Sequence, residues 1–116
     1  MIRRSNERTV KTVEHRFGAP GFITVQNLIN GPEELNGKGS FFAHVHLLPG
    51  HGIGYHVHEK DSEIYYILRG KGEYSDNGTM TTVEAGDVTL CPPGAGHSIL
   101  CAGDEPLEFV ALILYE

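Results

Sequence analysis

Residues 50–70 of this chain read GHGIGYHVHEKDSEIYYILRG, and the fold is predicted from this stretch outward. It begins and ends with glycine, and between the glycines lie a His-x-His pair, His56 and His58, and an acidic residue, Glu63. Successive side chains of a β-strand alternate between its two faces, so histidines separated by one residue project from the same face. Their ring nitrogens can converge on one point, which suits two neighbouring ligands of a divalent metal ion.

The residues that follow the pair supply two further candidate ligands. Glu63 comes five positions after His58, and the short turn 59–62 can bring its carboxylate beside the pair. His97 follows the loop 92–96, PPGAG, at the start of another apolar run. Three imidazoles and one carboxylate make a mixed nitrogen and oxygen site with room for water or substrate. The sequence therefore predicts a metal centre built from these four side chains.

The wider chain is punctuated by Gly and Pro, and short runs rich in β-branched and aromatic residues lie between them. These runs are 22–25, 40–48, 63–68, 71–74, 80–83, 88–91, 98–101 and 107–115. Short strands separated by turn signals indicate an all-β sandwich or barrel. Asn77-Gly78 predicts a tight hairpin, because both residues accept positive φ angles. Helices should be few: only 8–17 and 32–35 fit one, and the first fits an N-terminal strand equally well.

Length, charge and hydropathy restrict the class of protein. With 116 residues we expect one domain, residues 1–116, able to bury a core without disulfides. The net charge of −6 argues against a nucleic-acid partner, because phosphate binding needs clustered cations. The basic run 3–11 is interpreted as part of a solvated N-terminal arm, residues 1–18. No membrane span or secretory signal is visible, so we expect a cytoplasmic protein with Cys91 and Cys101 reduced.

Two spaced patterns in this chain resemble the two motifs of the cupins. The first is residues 50–70: glycine, five residues, His-x-His, four residues, glutamate, six residues, glycine. The second is residues 86–101: glycine, five residues, Pro-x-Gly, two residues, histidine, three residues, then Cys101 where the cupins usually have Asn. Together the two patterns extend over nearly half of the chain, in the order that the family has.

The resemblance implies an antiparallel β-barrel of the jelly-roll type. It also implies one divalent transition metal ion per chain, bound inside the barrel by His56, His58, Glu63 and His97. These ligands admit Fe, Mn, Ni, Co, Cu or Zn, and affinity order does not choose among them. With one motif pair the chain resembles a single-domain cupin, and such proteins are commonly homodimers. The run 107–115 is apolar on both faces, which fits a subunit contact, with burial inside one chain as the alternative.

Strand alternation from Glu63 and His97 extends the candidate site. Tyr65 follows Glu63 inward and is the candidate catalytic acid or hydrogen-bond donor, with a core aromatic as the alternative. Cys101 follows His97 inward and is either a pocket residue or a small buried hydrophobe. The other residues that alternation places in the substrate pocket are Ile67, Arg69 and Ile99.

Three other histidines lie near the predicted site. In the run 40–48 the wholly apolar face, which carries Val45, is predicted to be the core face. His44 and His46 then point outside or to a subunit interface, and only the opposite alternation would bring them near the substrate. His51 lies in a Gly-rich turn, where we expect it to be solvated.

A metal ion with open coordination positions can act as a Lewis acid on a carbonyl or carboxylate, or activate O₂ if it is redox-active. We expect an enzyme acting on a small oxygen-bearing metabolite, most similar to the cupin dioxygenases and decarboxylases. A sugar or sugar-phosphate isomerase or lyase is one alternative, although only Lys60, Arg69 and Lys71 offer cations near the motifs. A barrel that binds or senses a small molecule without turnover is another, as is a barrel whose metal only adds stability.

Overall fold

Ten β-strands account for most of the computed structural model, which describes all 116 residues. In chain order the strands are β1 Val10–Glu14, β2 Phe22–Asn27, β3 Gly39–Leu47, β4 Gly52–Val57, β5 Asp61–Arg69, β6 Lys71–Asp76, β7 Thr79–Glu84, β8 Val88–Cys91, β9 Gly96–Cys101 and β10 Leu107–Tyr115. The helical segments are three 3₁₀ turns, Ser5–Glu7, Arg16–Gly18 and Pro32–Leu35. No helix is long or apolar enough to cross a membrane.

The strands form two antiparallel sheets whose inner faces enclose the core. One sheet has the order β1-β2-β3-β10-β5-β8 and the other has the order β4-β9-β6-β7. The largest fully buried side chains are Tyr65, Phe109, Leu47 and Ile67, all on the six-stranded sheet. The predicted all-β antiparallel fold is confirmed.

The central strand β3 shows why the sheet has a core face and an outer face. Ala43, Val45 and Leu47 are buried, while His44 and His46 are half-buried on the outer face, as alternation predicts. His44 Nε2 lies 2.9 Å from a carboxylate oxygen of Glu108 on β10. These two histidines therefore lie on the side of the sheet away from the predicted metal centre.

The hairpin predicted at Asn77-Gly78 joins β6 to β7. Both residues have positive φ, 51° and 100°, in the two-residue turn between the strands. Asn77 also accepts a hydrogen bond from the backbone N–H of Gly96 through its side-chain oxygen. The turn is thus tied to the strand that carries His97.

The N-terminal segment has mostly exposed side chains, as its charge suggested, but it is not a free arm. β1 pairs along its whole length with β2, in register from Val10 opposite Gln26 to Glu14 opposite Phe22. Ahead of it, Arg3 makes two hydrogen bonds of 2.8 Å to the carboxylate of Glu34. Backbone pairing, which every residue can make, holds this segment to the sheet while most of its charged side chains stay in solvent.

A β-bulge in β5 overturns the predicted inward orientation of Arg69. Arg69 pairs with Glu108 of β10 and Ile67 pairs with Phe109, so Leu68 is an extra residue on β5. An extra residue reverses the alternation of the side chains beyond it. The Arg69 side chain is 52% exposed and lies 3.3 Å from the carboxylate of Glu108. Arg69 is therefore not a pocket residue.

A second bulge re-aims the strand that carries His56. Ile53 of β4 pairs with Ile99 of β9 and His56 pairs with His97, so β4 has one residue more than β9 between these pairs. The bulge includes Gly54. It brings the rings of His56 and His97 opposite each other, with centroids 4.6 Å apart.

Candidate metal centre and its cavity

The four predicted ligands converge at one point between the sheets. Their ligand atoms all lie within 4.8 Å of one another. His97 Nε2 is 3.1 Å from Nε2 of both His56 and His58, and also 3.1 Å from Glu63 Oε1. His58 Nε2 is 3.1 Å from the same carboxylate oxygen, and His56 Nε2 is 3.8 Å from it. Strands β4, β5 and β9 bring these residues together although they lie far apart in the sequence.

The opposite nitrogen of each ring has its own hydrogen-bond partner. His56 Nδ1 lies 2.8 Å from the carbonyl oxygen of Gly54, which can only accept a hydrogen bond. His58 Nδ1 lies 2.8 Å from the carboxylate of Asp61. His97 Nδ1 lies 2.8 Å from the hydroxyl of Tyr74. With Nδ1–H donating to these acceptors, Nε2 of each neutral ring presents a lone pair to the centre.

The four donor atoms are arranged to bind a metal ion rather than to bond with one another. Three lone pairs and a carboxylate oxygen facing one another at about 3 Å repel unless a positive charge lies between them. A proton serves one pair of atoms, whereas a metal ion serves all four. Neighbouring ligands on bonds of about 2.1 Å lie roughly 3 Å apart when they meet at a right angle, which matches the 3.1 Å separations.

The ionisation of these groups agrees with metal binding. Burial raises the pKa of Glu63, but hydrogen bonding with the three histidines outweighs it, so the pKa is lowered and the side chain is a carboxylate. Burial lowers the pKa of His97, which favours the neutral imidazole that a metal needs. Hydrogen bonding to Glu63, with a further contribution from Asp61, raises the pKa of His58 despite burial. The two carboxylates therefore favour a positive charge beside this ring, and a bound metal ion would supply that charge in place of the proton that the ring must lose to become a ligand.

Tyr65, the candidate catalytic residue, lies against the metal centre. It is 2% exposed, and its ring stacks on His97 with centroids 5.0 Å apart and planes 26° apart. Burial, followed by the charge of Glu63, raises the pKa of the Tyr65 phenol well above its usual value. The side chain both packs in the core and lines the cavity described below, and it keeps its proton as a hydrogen-bond donor.

An open cavity of about 490 Å³ leads from solvent to the centre. His56, His58, Glu63 and Tyr65 line its inner part, and most of the remaining wall is apolar. Of the residues predicted to line a pocket, Ile67, Ile99 and Cys101 belong to the buried core cluster and do not line this cavity. Cys101 is 2% exposed, the small buried residue of its alternative interpretation.

Local contacts also define the surroundings of Cys91 and His51. Cys91 is buried next to Glu63 on the neighbouring strand, and burial raises the pKa of its thiol to about 11, so the thiol keeps its proton at neutral pH. His51 is not freely solvated: its ring accepts a hydrogen bond from the backbone N–H of Phe22 at 3.1 Å.

Sequence reasoning missed the residues that orient the histidine ligands and those that form the mouth of the cavity. Asp61 and Tyr74 orient His58 and His97, and no spacing rule links either to its histidine. The N-terminal segment contributes Phe17, whose ring stacks on His56 with centroids 4.2 Å apart and planes 13° apart. A Cβ at Gly54 would collide with the backbone carbonyl of Phe17, so this approach requires glycine in the bulge. Hydropathy alone marks Phe17 only as an apolar residue.

The sequence pattern of the cupin domain matches residues 43–113, which include all four ligands. The oxalate-binding protein of Thermotoga maritima is 39% identical over 114 residues, covering 98% of this chain and 93% of its own length. The chain belongs to the cupin family. The small monocupin implied by the two motifs is therefore confirmed.

Two further comparisons place this cupin among its relatives. The crystal structure of a predicted oxalate decarboxylase from Thermotoga maritima superposes with a TM-score of 0.94 at 38% identity, covering 100% of both chains. The glucose-6-phosphate isomerase of Thermococcus onnurineus is 33% identical over 81 residues, which are 66% of this chain and 39% of its own length. The first comparison confirms the cupin fold of the two sheets.

We expect this cupin to bind one divalent transition metal ion per chain. Glu63→Gln and His56→Ala should lose most of the metal, because each removes a donor from the group of four. His46→Ala, on the outer face, should retain it. Metal analysis after purification without chelator, and thermal unfolding with and without EDTA, measure the effect. Equal metal content in Glu63→Gln and the control would contradict the site.

Tyr74→Phe should weaken metal binding by about tenfold to a hundredfold, because His97 loses the acceptor that orients its ring. Burial raises the pKa of Tyr74 to about 12, so the lost partner is a neutral hydroxyl and no charge is removed. Competition with a chromogenic chelator measures the affinity. The control is Tyr115→Phe, which alters an exposed tyrosine; equal affinities in the two variants would show that Tyr74 plays no part in orienting His97.

Proposed function

We propose that this cupin is a metal-dependent enzyme whose substrate is a small carboxylate of the oxalate class. The observation that carries the proposal is the convergence of three imidazoles and one carboxylate at the inner end of an open cavity, where His56, His58 and Glu63 line the wall and His97 lies buried behind them. The names of the two Thermotoga relatives, an oxalate-binding protein and a predicted oxalate decarboxylase, support the choice of ligand. The first of those names describes binding alone, so the proposal that the protein also turns its ligand over needs a test of its own.

His56, His58, Glu63 and His97 would hold the metal ion. When bound, the ion supplies a Lewis acid that attracts and polarises carboxylate oxygens. An ion held by these four residues would have coordination positions left for the carboxylate oxygens of a chelating substrate. Tyr65 keeps its phenolic proton and donates a hydrogen bond to an oxygen of the substrate.

A sugar-phosphate isomerase is the second candidate. The match to the glucose-6-phosphate isomerase of Thermococcus onnurineus favours it, although that match covers only 39% of the relative. Fructose 6-phosphate offers hydroxyl and carbonyl oxygens to the metal in place of carboxylates. Isomerisation of this sugar by metal-loaded protein, with no binding of oxalate, would replace the proposal with this candidate.

Metal-loaded protein should bind oxalate, and EDTA-treated protein should not. Calorimetric titration measures binding, and NMR detection of formate measures decarboxylation. Tyr65→Phe should lower turnover by about tenfold to a hundredfold, the cost of one hydrogen bond to a charged group. Tyr115→Phe is again the control. Oxalate binding that is unchanged by EDTA or by Glu63→Gln would end the proposal, whereas metal-dependent binding without product would leave a binding protein.

We also propose that the protein is a homodimer that pairs through the outer face of the six-stranded sheet. That face is apolar across neighbouring strands; its outward side chains include Phe42, Ile64, Tyr66, Leu68, Leu90, Val110 and Leu112. Tyr66 is 50% exposed and Leu90 is 58% exposed, which is a large apolar patch for a monomer. A second copy of the same face would cover both patches at once.

Light scattering should give about twice the chain mass of 12.7 kDa. Leu112→Asp should shift the protein to the monomer, because it places a charge at the middle of the contact. Met80→Asp, on the other sheet, changes an equally apolar exposed residue and should leave the dimer intact. A monomeric wild-type protein would refute the proposed interface.

A further inference from the structure

We propose that the substrate of this cupin is longer than oxalate: it binds the metal through one end, has an apolar body, and carries a second carboxylate that Lys11 and Arg16 contact at the cavity mouth. The inference rests on the proposed function, because it takes a metal-bound carboxylate as its starting point. It adds the size and the second charge of the substrate.

The size of the cavity is the first argument. A volume of about 490 Å³ lies in the range of pockets that enclose whole metabolites, ~300–1,000 Å³. Oxalate consists of two joined carboxylates and would fill only the part next to the metal. The rest of the wall includes the half-buried side chains of Phe41 and Ile113, which would stay partly exposed to water beside oxalate. An apolar body between two polar ends removes that wall from water and is favoured for this reason.

The position of Lys11 is the second argument. In β1, Lys11 pairs with Val25 and Val13 pairs with Ile23, and both partners are buried side chains of the inner face. Lys11 therefore projects on the cavity side of its strand, and it lines the cavity. It takes part in none of the ion pairs of the chain, whose Lys and Arg members are Arg3 and Arg69. Its charge is available to a ligand.

Arg16 is held at the same mouth by stacking. Its guanidinium carbon lies 4.4 Å from the centre of the Phe17 ring, and Phe17 in turn stacks on His56. His15 and Phe17 both have left-handed backbone conformations, with φ of 49° and 52°. Residues other than glycine rarely adopt these backbone angles, so the surrounding contacts must hold the segment in place. Arg16 forms no ion pair, and its N–H groups are free to bind an anion.

The charges around the cavity are the third argument. Its wall carries two cations and three carboxylates. Asp61 is bonded to His58 and Glu63 belongs to the metal centre, so Glu59 is the one carboxylate left unengaged. A divalent metal ion makes the net charge of this wall positive in a chain of net charge −6. An anion is therefore favoured at both ends of the cavity.

Two ligands of equal chain length distinguish the contribution of the second carboxylate to affinity from that of the apolar body. α-Ketoadipate and α-ketohexanoate have the same chelating end and the same carbon chain, and only the first has a terminal carboxylate. Protein loaded with Zn²⁺ should bind α-ketoadipate more tightly than α-ketohexanoate, by about fivefold at low salt, and raising the salt should reduce this preference. This comparison uses the wild-type protein and does not depend on any variant.

Variants assign the preference to the two cations. Lys11→Met and Arg16→Gln should each weaken α-ketoadipate by about threefold and leave oxalate and α-ketohexanoate unchanged. Lys38→Met, a substitution of an exposed lysine that does not line the cavity, and Arg16→Lys, which keeps the charge, are the controls. Melting temperatures verify that the variants fold.

The outcomes distinguish the two proposals. If oxalate binds and the two keto acids bind equally, or if the variants weaken all three ligands alike, the second carboxylate site is wrong and the proposed function stands. If none of the three ligands binds the metal-loaded protein, the proposed function itself fails. Selective loss of α-ketoadipate in both charge-removing variants supports the inference.

Discussion

The structure depends on the meeting of three imidazole nitrogens and one carboxylate oxygen between two β-sheets. His56 and His58 come from β4 and its end, Glu63 comes from β5 and His97 from β9, so the two sheets must close on each other before the group exists. The opposite nitrogen of every ring is occupied by an acceptor, from Gly54, Asp61 or Tyr74. Orientation of the ligands is therefore part of the fold itself, and burial strengthens the attraction between these groups and a cation.

The N-terminal segment completes the cavity that the two sheets begin. β1 extends the six-stranded sheet, and the following turn carries Phe17 onto the outer ligand His56. Its tight approach is possible because Gly54 has no side chain at the bulge. The same segment brings Lys11 and Arg16 to the mouth. The two cations that we propose to select anions therefore lie in a different part of the chain from the four candidate metal ligands, which belong to the two motifs.

Much of the fold and of the candidate site was predictable from the sequence, and each failure has a physical reason. Alternation placed Tyr65 inward and His44 outward, because an unbroken strand has a fixed period of two. The same rule failed for Arg69, because Leu68 forms a bulge that the local sequence of the run 63–68 does not predict. The basic composition of residues 3–11 suggested a solvated arm. Charge describes side chains, however, whereas the pairing of β1 is made by backbone groups.

The sequence by itself determined the all-β class, the family and the four residues that form the candidate metal centre. Those features depend on local periodicity and on spacings along the chain, which can be read without coordinates. Only the tertiary structure decided which side chains orient the ligands, where the bulges fall and which cations reach the cavity. These depend on contacts between residues far apart in the chain, such as Tyr74 with His97 and Phe17 with His56, and backbone closure brings them together.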